Sequence, residues 1–191
     1  MKKVAVIYRN SNNQEVIKYL QDSLESIFKN YIIVENYYLT DLTDNVKIDA
    51  DAYILTEETM LYPLKECITN YNNIIFMYRS LKKKNLSEIS KIPKNTDVLV
   101  VNDTYESSVQ TLCSLYELGF SHINLMPFDA NDANNPTYRN FNVCITQNEM
   151  HLVPDYIRQT INIGYREISF DTLLRLMMRL NLNFEFTNRN L

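Results

Sequence analysis

Glycine is nearly missing from this chain: 191 residues contain two, Gly119 and Gly164. A GxGxxG dinucleotide loop, a GxxxxGK[ST] phosphate loop and a GxSxG nucleophile elbow each need glycines a few positions apart, so all three are excluded. Cysteine is scarce as well. Cys67, Cys113 and Cys144 form an odd set without CxxC spacing, and each falls in an apolar stretch. Buried, reduced thiols are expected rather than disulfides or zinc ligands, which suits the cytoplasm.

An excess of basic charge is also lacking. Lysine and arginine total 19 against 23 acids, a net charge of -4 with a pI near 5.2. A protein that neutralises phosphate backbones has the opposite balance, so no direct nucleic-acid partner is expected. Long apolar runs are missing too: the run after Lys2 and Lys3 stops at Arg9, too short for a signal-peptide core or a membrane span. No membrane partner is expected. His122 and His151 are the only imidazoles, and neither has a nucleophile or second ligand at a telling spacing. No catalytic residue, metal or cofactor is assigned, and the chain is not expected to be an enzyme.

What is present is a chain 46% hydrophobic and 22% charged, enough apolar material for one domain or two small lobes. Val4-Ala5-Val6-Ile7-Tyr8 reads as a strand buried on both faces of a parallel sheet. From Gln14 to Phe28, apolar residues Val16, Ile17, Leu20, Leu24, Ile27 and Phe28 recur at helical spacing, with Ser11, Asn12 and Asn13 available as N-caps. Further strands are predicted at Tyr31–Val34, Ala52–Leu55 and Ile74–Tyr78. Helices are predicted around Met60–Thr69 and Lys82–Ile92.

The alternation restarts after Pro93. Val98–Val101 is a buried strand, and Asp103-Thr104-Tyr105-Glu106 reads as a capping box opening a helix with the stripe Val109, Leu112, Cys113, Tyr116. Gly119 followed by Phe120 supplies its left-handed C-cap. Strands at Ile123–Met126, Phe141–Thr146 and Thr160–Ile163 follow, with a long Asn, Asp and Pro-rich loop over Pro127–Asn140. A final helix spans Asp171–Leu180. The expected architecture is α/β: two small lobes, 1–93 and 94–182, with mostly parallel sheets flanked by helices, and a linker or tail over 183–191. No longer-range sequence repeat is visible.

Ligands of open α/β sheets sit beyond the carboxyl ends of the strands. The residues there are polar: Arg9, Thr56 and Arg79 in the first lobe, and Asn102, Asp103, Thr104, Thr146 and Arg166 in the second. Arginines beside helix N-termini suit a carboxylate or phosphate, and these eight residues are the candidate ligand-binding set. The competing reading leaves the arginines exposed to solvent or pairs them with Glu57, Asp103 or Glu167. A receiver-like layout shares this fold class, but the acidic pair, acceptor aspartate and lysine of phosphotransfer are missing at the matching strand ends. Lys82-Lys83-Lys84 reads as a solvated helix start, and Met177 and Met178 as part of a core or partner-facing helix.

The segments Val98–Phe128 and Leu152–Leu176 carry a more specific pattern. Val101-Asn102-Asp103, Tyr116-Glu117-Leu118-Gly119, Leu152-Val153-Pro154 and Ile163-Gly164-Tyr165-Arg166 before Asp171-Thr172-Leu173 resemble the N-terminal sensory domain of bacterial sigma-54-dependent transcriptional activators of the Firmicutes type. The bilobal layout also resembles a reduced periplasmic-binding-protein type of fold. The family resemblance implies downstream PAS, ATPase and DNA-binding domains, through which sigma-54 polymerase is reached. The chain is then either an excised module or a free-standing relative. The resulting expectation is a cytoplasmic ligand-sensing regulatory domain that binds a small anionic metabolite between two lobes and signals through its C-terminal helix. The alternatives are a ligand-free dimerisation or interaction module, consistent with a homodimer, and a small hydrolase or transferase using Asp103, Glu57 and an arginine.

Overall fold

A computed structural model describes residues 1–43 and 46–182; the tail expected over 183–191 lies outside them. Strand β1 (Lys2–Tyr8) leads to helix α1 (Gln14–Phe28), then β2 (Ile32–Tyr38), β3 (Ala52–Leu55) and β4 (Ile74–Phe76). These strands form a parallel sheet in the order β2-β1-β3-β4. The two-residue strand β5 (Arg79–Ser80) follows, then β6 (Asp97–Val101), helix α2 (Tyr105–Glu117), β7 (Asn124–Pro127), β8 (Val143–Thr146) and β9 (Gln159–Asn162). The second parallel sheet has the order β7-β6-β8-β9. Strand β10 (Glu167–Ile168), which pairs with β5, and helix α3 (Phe170–Leu180) follow.

The α/β class with parallel sheets and flanking helices is therefore the architecture of the protein. Its two compact units are Met1–Arg79 with the chain from Glu167 onward, and Ser80–Arg166. The division drawn near Pro93 from sequence falls inside the second unit, because Leu81, Leu86, Ile89 and Ile92 bury against Val98, Leu115, Ile145 and Ile161 of that unit. Conversely α3, read as part of the second lobe, packs Leu173, Leu176, Met177 and Leu180 on the β1 and β3 face of the first.

Strand β1 alternates as a doubly covered strand must. Val4, Val6 and Tyr8 enter the cluster shared with α1 and α3, while Ala5 and Ile7 face Tyr53, Leu55, Met60 and Leu64 on the other side. Helix α1 starts on Asn13, whose side chain accepts a hydrogen bond from the Val16 N–H, and it buries Ile17, Leu20, Leu24 and Phe28. Helix α3 is pinned at its start: the Tyr78 N–H donates to Thr172 Oγ1 at 2.9 Å, and Thr172 Oγ1 donates back to the Tyr78 carbonyl at 3.3 Å.

Three local expectations are corrected. Met60–Thr69 is not an α-helix but a 3-10 turn at Glu58–Met60 followed by turns, since Pro63 in its middle has no N–H to donate and restricts Tyr62. Lys82–Ile92 forms two 3-10 turns, Lys83–Asn85 and Ile89–Lys91; its buried residues Leu86, Ile89 and Ile92 recur every three positions, the 3-10 period. Helix α2 is capped by Thr104 rather than Asp103, and it buries Ser108, Thr111 and Leu115 instead of the apolar stripe. Cys113, expected to be buried, is consequently exposed, while Cys67 and Cys144 are buried as free thiols.

Both glycines occupy backbone conformations that other residues rarely adopt. Gly119, at φ +92°, ends α2 with the Phe120 N–H on the Leu115 carbonyl at 3.1 Å, a Schellman closure. Gly164 sits at φ +68°, and a Cβ there would come within 2.9 Å of Asn85 Nδ2, which donates to the Ile163 carbonyl at 2.8 Å. Among the described residues no helix is long and apolar enough to cross a membrane.

Candidate functional sites at the strand ends

In each unit the first strand has its successor on one side and the third strand on the other. The crevice for a ligand in such a sheet opens where the connections diverge, at the carboxyl ends of β1 and β3 and, separately, of β6 and β8.

In the first unit this edge carries Tyr8, Arg9, Thr56 and Glu57. Thr56 closes the strand ends by donating its hydroxyl to the Ile7 carbonyl at 3.1 Å. Arg9 is half exposed and committed to Glu57, with Nε donating to Oε2 at 2.9 Å and Nη2 reaching the same oxygen. It also donates to Thr59 Oγ1 at 2.8 Å. The hydrogen bonds from Arg9 to Glu57 raise the guanidinium's affinity for its proton. For Arg9 the structure thus has the ion pair named as the competing reading.

Tyr8, absent from the candidate set, is the unusual group at this edge. Its side chain is 7% exposed, and its hydroxyl is buried without a hydrogen-bond partner. Burial pushes the phenol's pKa up, the neighbouring Tyr38 adds to this, and the positive charge of Arg79 works against it. Tyr8 and Tyr38 stack obliquely at 6.2 Å. Arg79, partly buried just beyond β4, therefore acts on the end of β1 as well as its own strand. Only the alternation of β1 pointed to Tyr8, and it was absorbed as core.

In the second unit the same edge carries a buried neutral network. Asn102 is 2% exposed, and Thr111 and Thr146 are fully buried. Asn102 Nδ2 donates to Thr111 Oγ1 at 3.1 Å and to the Ser107 carbonyl at 3.2 Å. Gln147 Nε2 donates to the same Thr111 oxygen at 3.0 Å, and Thr111 donates onward to the Ser107 carbonyl at 2.9 Å. Thr146 Oγ1 accepts the Glu149 N–H at 3.2 Å. Of the candidates, Asn102 and Thr146 thus lie in the wall of this edge. Thr104 is occupied in capping α2, accepting the Ser107 N–H at 3.1 Å, and Asp103 is exposed. Arg166 is buried and donates to Gln110 Oε1 at 3.1 Å, one turn from the network on α2.

Thr111 as the centre of the network and Gln110 as the partner of Arg166 were missed, and Gln147, noted at its strand end, was not placed in the candidate set. A polar face on α2 is invisible to a search for apolar periodicity, and the available signal was the polar spacing of Ser107, Ser108 and Thr111 beside an asparagine strand end. Among the described residues no three His, Cys, Asp or Glu side chains gather as a metal-ion site.

The fold and these sites define a chain of two parallel α/β units, each with a polar switch-point edge. Comparison with family models, with curated proteins and with solved structures finds no match.

Proposed function

We propose that the chain is a ligand-sensing regulatory module that takes a small anionic metabolite at the strand ends of its first unit. The observation that carries the reading is the buried Tyr8 hydroxyl, a donor without an acceptor in the field of the Arg79 guanidinium. Burying an unsatisfied hydroxyl costs about 1–3 kcal/mol, and such a cost at a strand end is recovered when a ligand oxygen accepts the bond. A carboxylate or phosphate accepts a hydrogen bond from the phenol and is attracted by the positive charge of the arginine. Helix α1 begins at the same edge and adds its N-terminal N–H groups to the field.

The regulatory half of the reading rests on the resemblance of Val98–Phe128 and Leu152–Leu176 to sensory domains of sigma-54-dependent activators. In that role the effectors are PAS, ATPase and DNA-binding domains and, through them, the polymerase, in the cytoplasm. Helix α3 packs on the cluster that contains Tyr8, so a ligand that reorders Tyr8 has a direct route to the helix. A switch of this kind moves only by the ligand's differential affinity for two states.

The test is a thermal-shift screen of the chain against carboxylates, amino acids and phosphorylated metabolites, repeated on Tyr8→Phe and Arg79→Ala. Binding raises apparent stability, and the reading expects an anionic hit that both variants weaken by roughly tenfold or more. Tyr8→Phe should at the same time stabilise the ligand-free chain by about 1 kcal/mol, because it deletes an unsatisfied buried hydroxyl. A hit that ignores both substitutions, or a Tyr8→Phe chain that is less stable, overturns the assignment.

A further inference from the structure

Helix α3 is apolar on two faces. One face, Leu173, Leu176, Met177 and Leu180, is spent on the core of the first unit. On the other, Phe170 is 51% exposed, Leu174 39% and Met178 69%. These three recur at four-residue spacing and make a continuous stripe about 12 Å long. Tyr78, also exposed, lies close enough to Asp171 and Arg175 to feel their charges.

The stripe is shaped asymmetrically. Its amino-terminal end is the half-exposed phenyl ring of Phe170. Its carboxyl-terminal end is a depression of about 380 Å3 lined by Leu174, Met177, Met178, Asn181 and Leu182, roomy enough for such a ring. A knob at one end of a helix and a hole at the other is complementary to itself once the second copy is turned end to end. Pairing about a two-fold axis at Leu174 sets each Phe170 against the Met178 end of its partner helix.

The flanking charges select the same orientation. Asp171, Arg175 and Arg179 run beside the stripe at the same four-residue spacing. An antiparallel pair brings Asp171 of one helix to Arg179 of the other at both ends, while Arg175 stays with its own Asp171 at 2.7 Å. A parallel two-fold pair turns the charged flank of each helix away from that of its copy and makes no such match. The helix dipoles favour the antiparallel arrangement as well. We infer that the exposed face of α3 is the seat of an isologous, antiparallel homodimer, in which Phe170 of each copy fills the depression at the end of the other copy's helix. One short helix per copy makes a small contact, so the dimer is weak and exchanges rapidly.

Sedimentation equilibrium of the 191-residue chain over a concentration series tests the association, and disulfide trapping in a Cys113→Ser background tests the geometry. The chain should dimerise at high concentration, and Leu174→Asp or Met178→Asp should weaken association by roughly tenfold or more with the circular-dichroism melt retained. Leu174→Cys should cross-link to itself. Phe170→Cys and Met178→Cys should each cross-link poorly alone and efficiently when mixed, because a disulfide requires Cα atoms within about 7 Å. A chain that stays monomeric at every concentration overturns the inference, whatever else then covers the stripe. Efficient self-cross-linking of Phe170→Cys overturns the antiparallel geometry.

Discussion

The two units repeat one topology and treat its critical edge in opposite ways. Each sheet runs second, first, third, fourth strand with all neighbours parallel, and each has a helix after its first strand. At the divergence of the connections the first unit carries a half-exposed ion pair, Arg9 with Glu57, over a buried phenol. The second carries an amide and hydroxyl network centred on Thr111, in which Asn102 Oδ1 is buried without a hydrogen-bond partner. The charged edge is solvated and can exchange partners with a ligand at little cost. The neutral edge has placed its donors on internal acceptors and serves to fix α2 to β6 and β8. Similar topology thus yields one edge built on an exposed ion pair and one built on buried amides and hydroxyls, and the difference lies in whether the polar groups there are charged and solvated or neutral and enclosed.

The sharpest way to break this contrast is Thr111→Val. It leaves amide N–H groups of Asn102 and Gln147 without their shared acceptor in a dry interior, so a loss of about 2–4 kcal/mol is expected in urea unfolding. Thr111→Ser, which keeps the oxygen, should recover most of it.

Helix termini supply a second comparison. Helix α2 ends on Gly119, whereas α1 ends on Lys29 at φ 43° and ψ -117°, a conformation costly for a side chain. Lys29→Gly should stabilise the first unit by about 1 kcal/mol, and Gly119→Ala should destabilise the second by a similar amount. Opposite signs in paired denaturant melts are the expected result.

A smaller effect is expected at the charged edge. Arg9→Ala should cost less than about 1 kcal/mol, and that cost should fade in molar salt, because an exposed pair is screened. An effect as large as that of Thr111→Val would erase the distinction between the edges.

Acid sharpens the comparison least but with a definite sign. Asp51 is held below its ordinary pKa by hydrogen bonds from Lys2 and from the Lys3 N–H, and Glu35 by Lys3 and then Tyr37. Both belong to the first unit. A carboxyl depressed on folding stabilises fully above its unfolded pKa of about 4, and that stabilisation disappears as pH falls through the lower folded value. Hydrogen exchange should therefore show β1 and β2 loosening as the solution is acidified, and Asp51→Asn should reduce the pH dependence.

Much of the fold was legible in periodicity. The bounds of α1 and of β3 are those read from the chain, because Ile17, Leu20 and Leu24 recur with the period of a helix and Ala52–Leu55 is a short run bounded by polar residues. The misreadings share a cause. Pro63 and the three-residue spacing of Leu86, Ile89 and Ile92 were local signals overridden by apolar content. The phase of α2 was set from apolar residues alone, whereas the helix turns Ser108 and Thr111 inward. Of the candidate residues, Arg9 and Thr56 meet at one edge and Asn102 and Thr146 line another, since residues following parallel strands must gather at one edge. Tyr8 carried no signal beyond the core alternation of β1 and Thr111 only the polar spacing of its helix, because what distinguishes both is their surroundings after the chain has packed.

By itself the amino-acid order determined the class of fold and the strand-helix alternation, since these follow from side-chain periodicity, caps and the need of parallel strands for crossover connections. It also settled that Gly119 had to end the helix before it. Only the tertiary structure decided that α3 returns to the first sheet, that the segment before Val98 belongs with the second, and that one edge carries an exposed ion pair while the other buries amides and hydroxyls. Those outcomes depend on which distant groups reach one another after the chain has packed, and hydrogen-bond and apolar complementarity between such groups leaves no periodic trace along the chain.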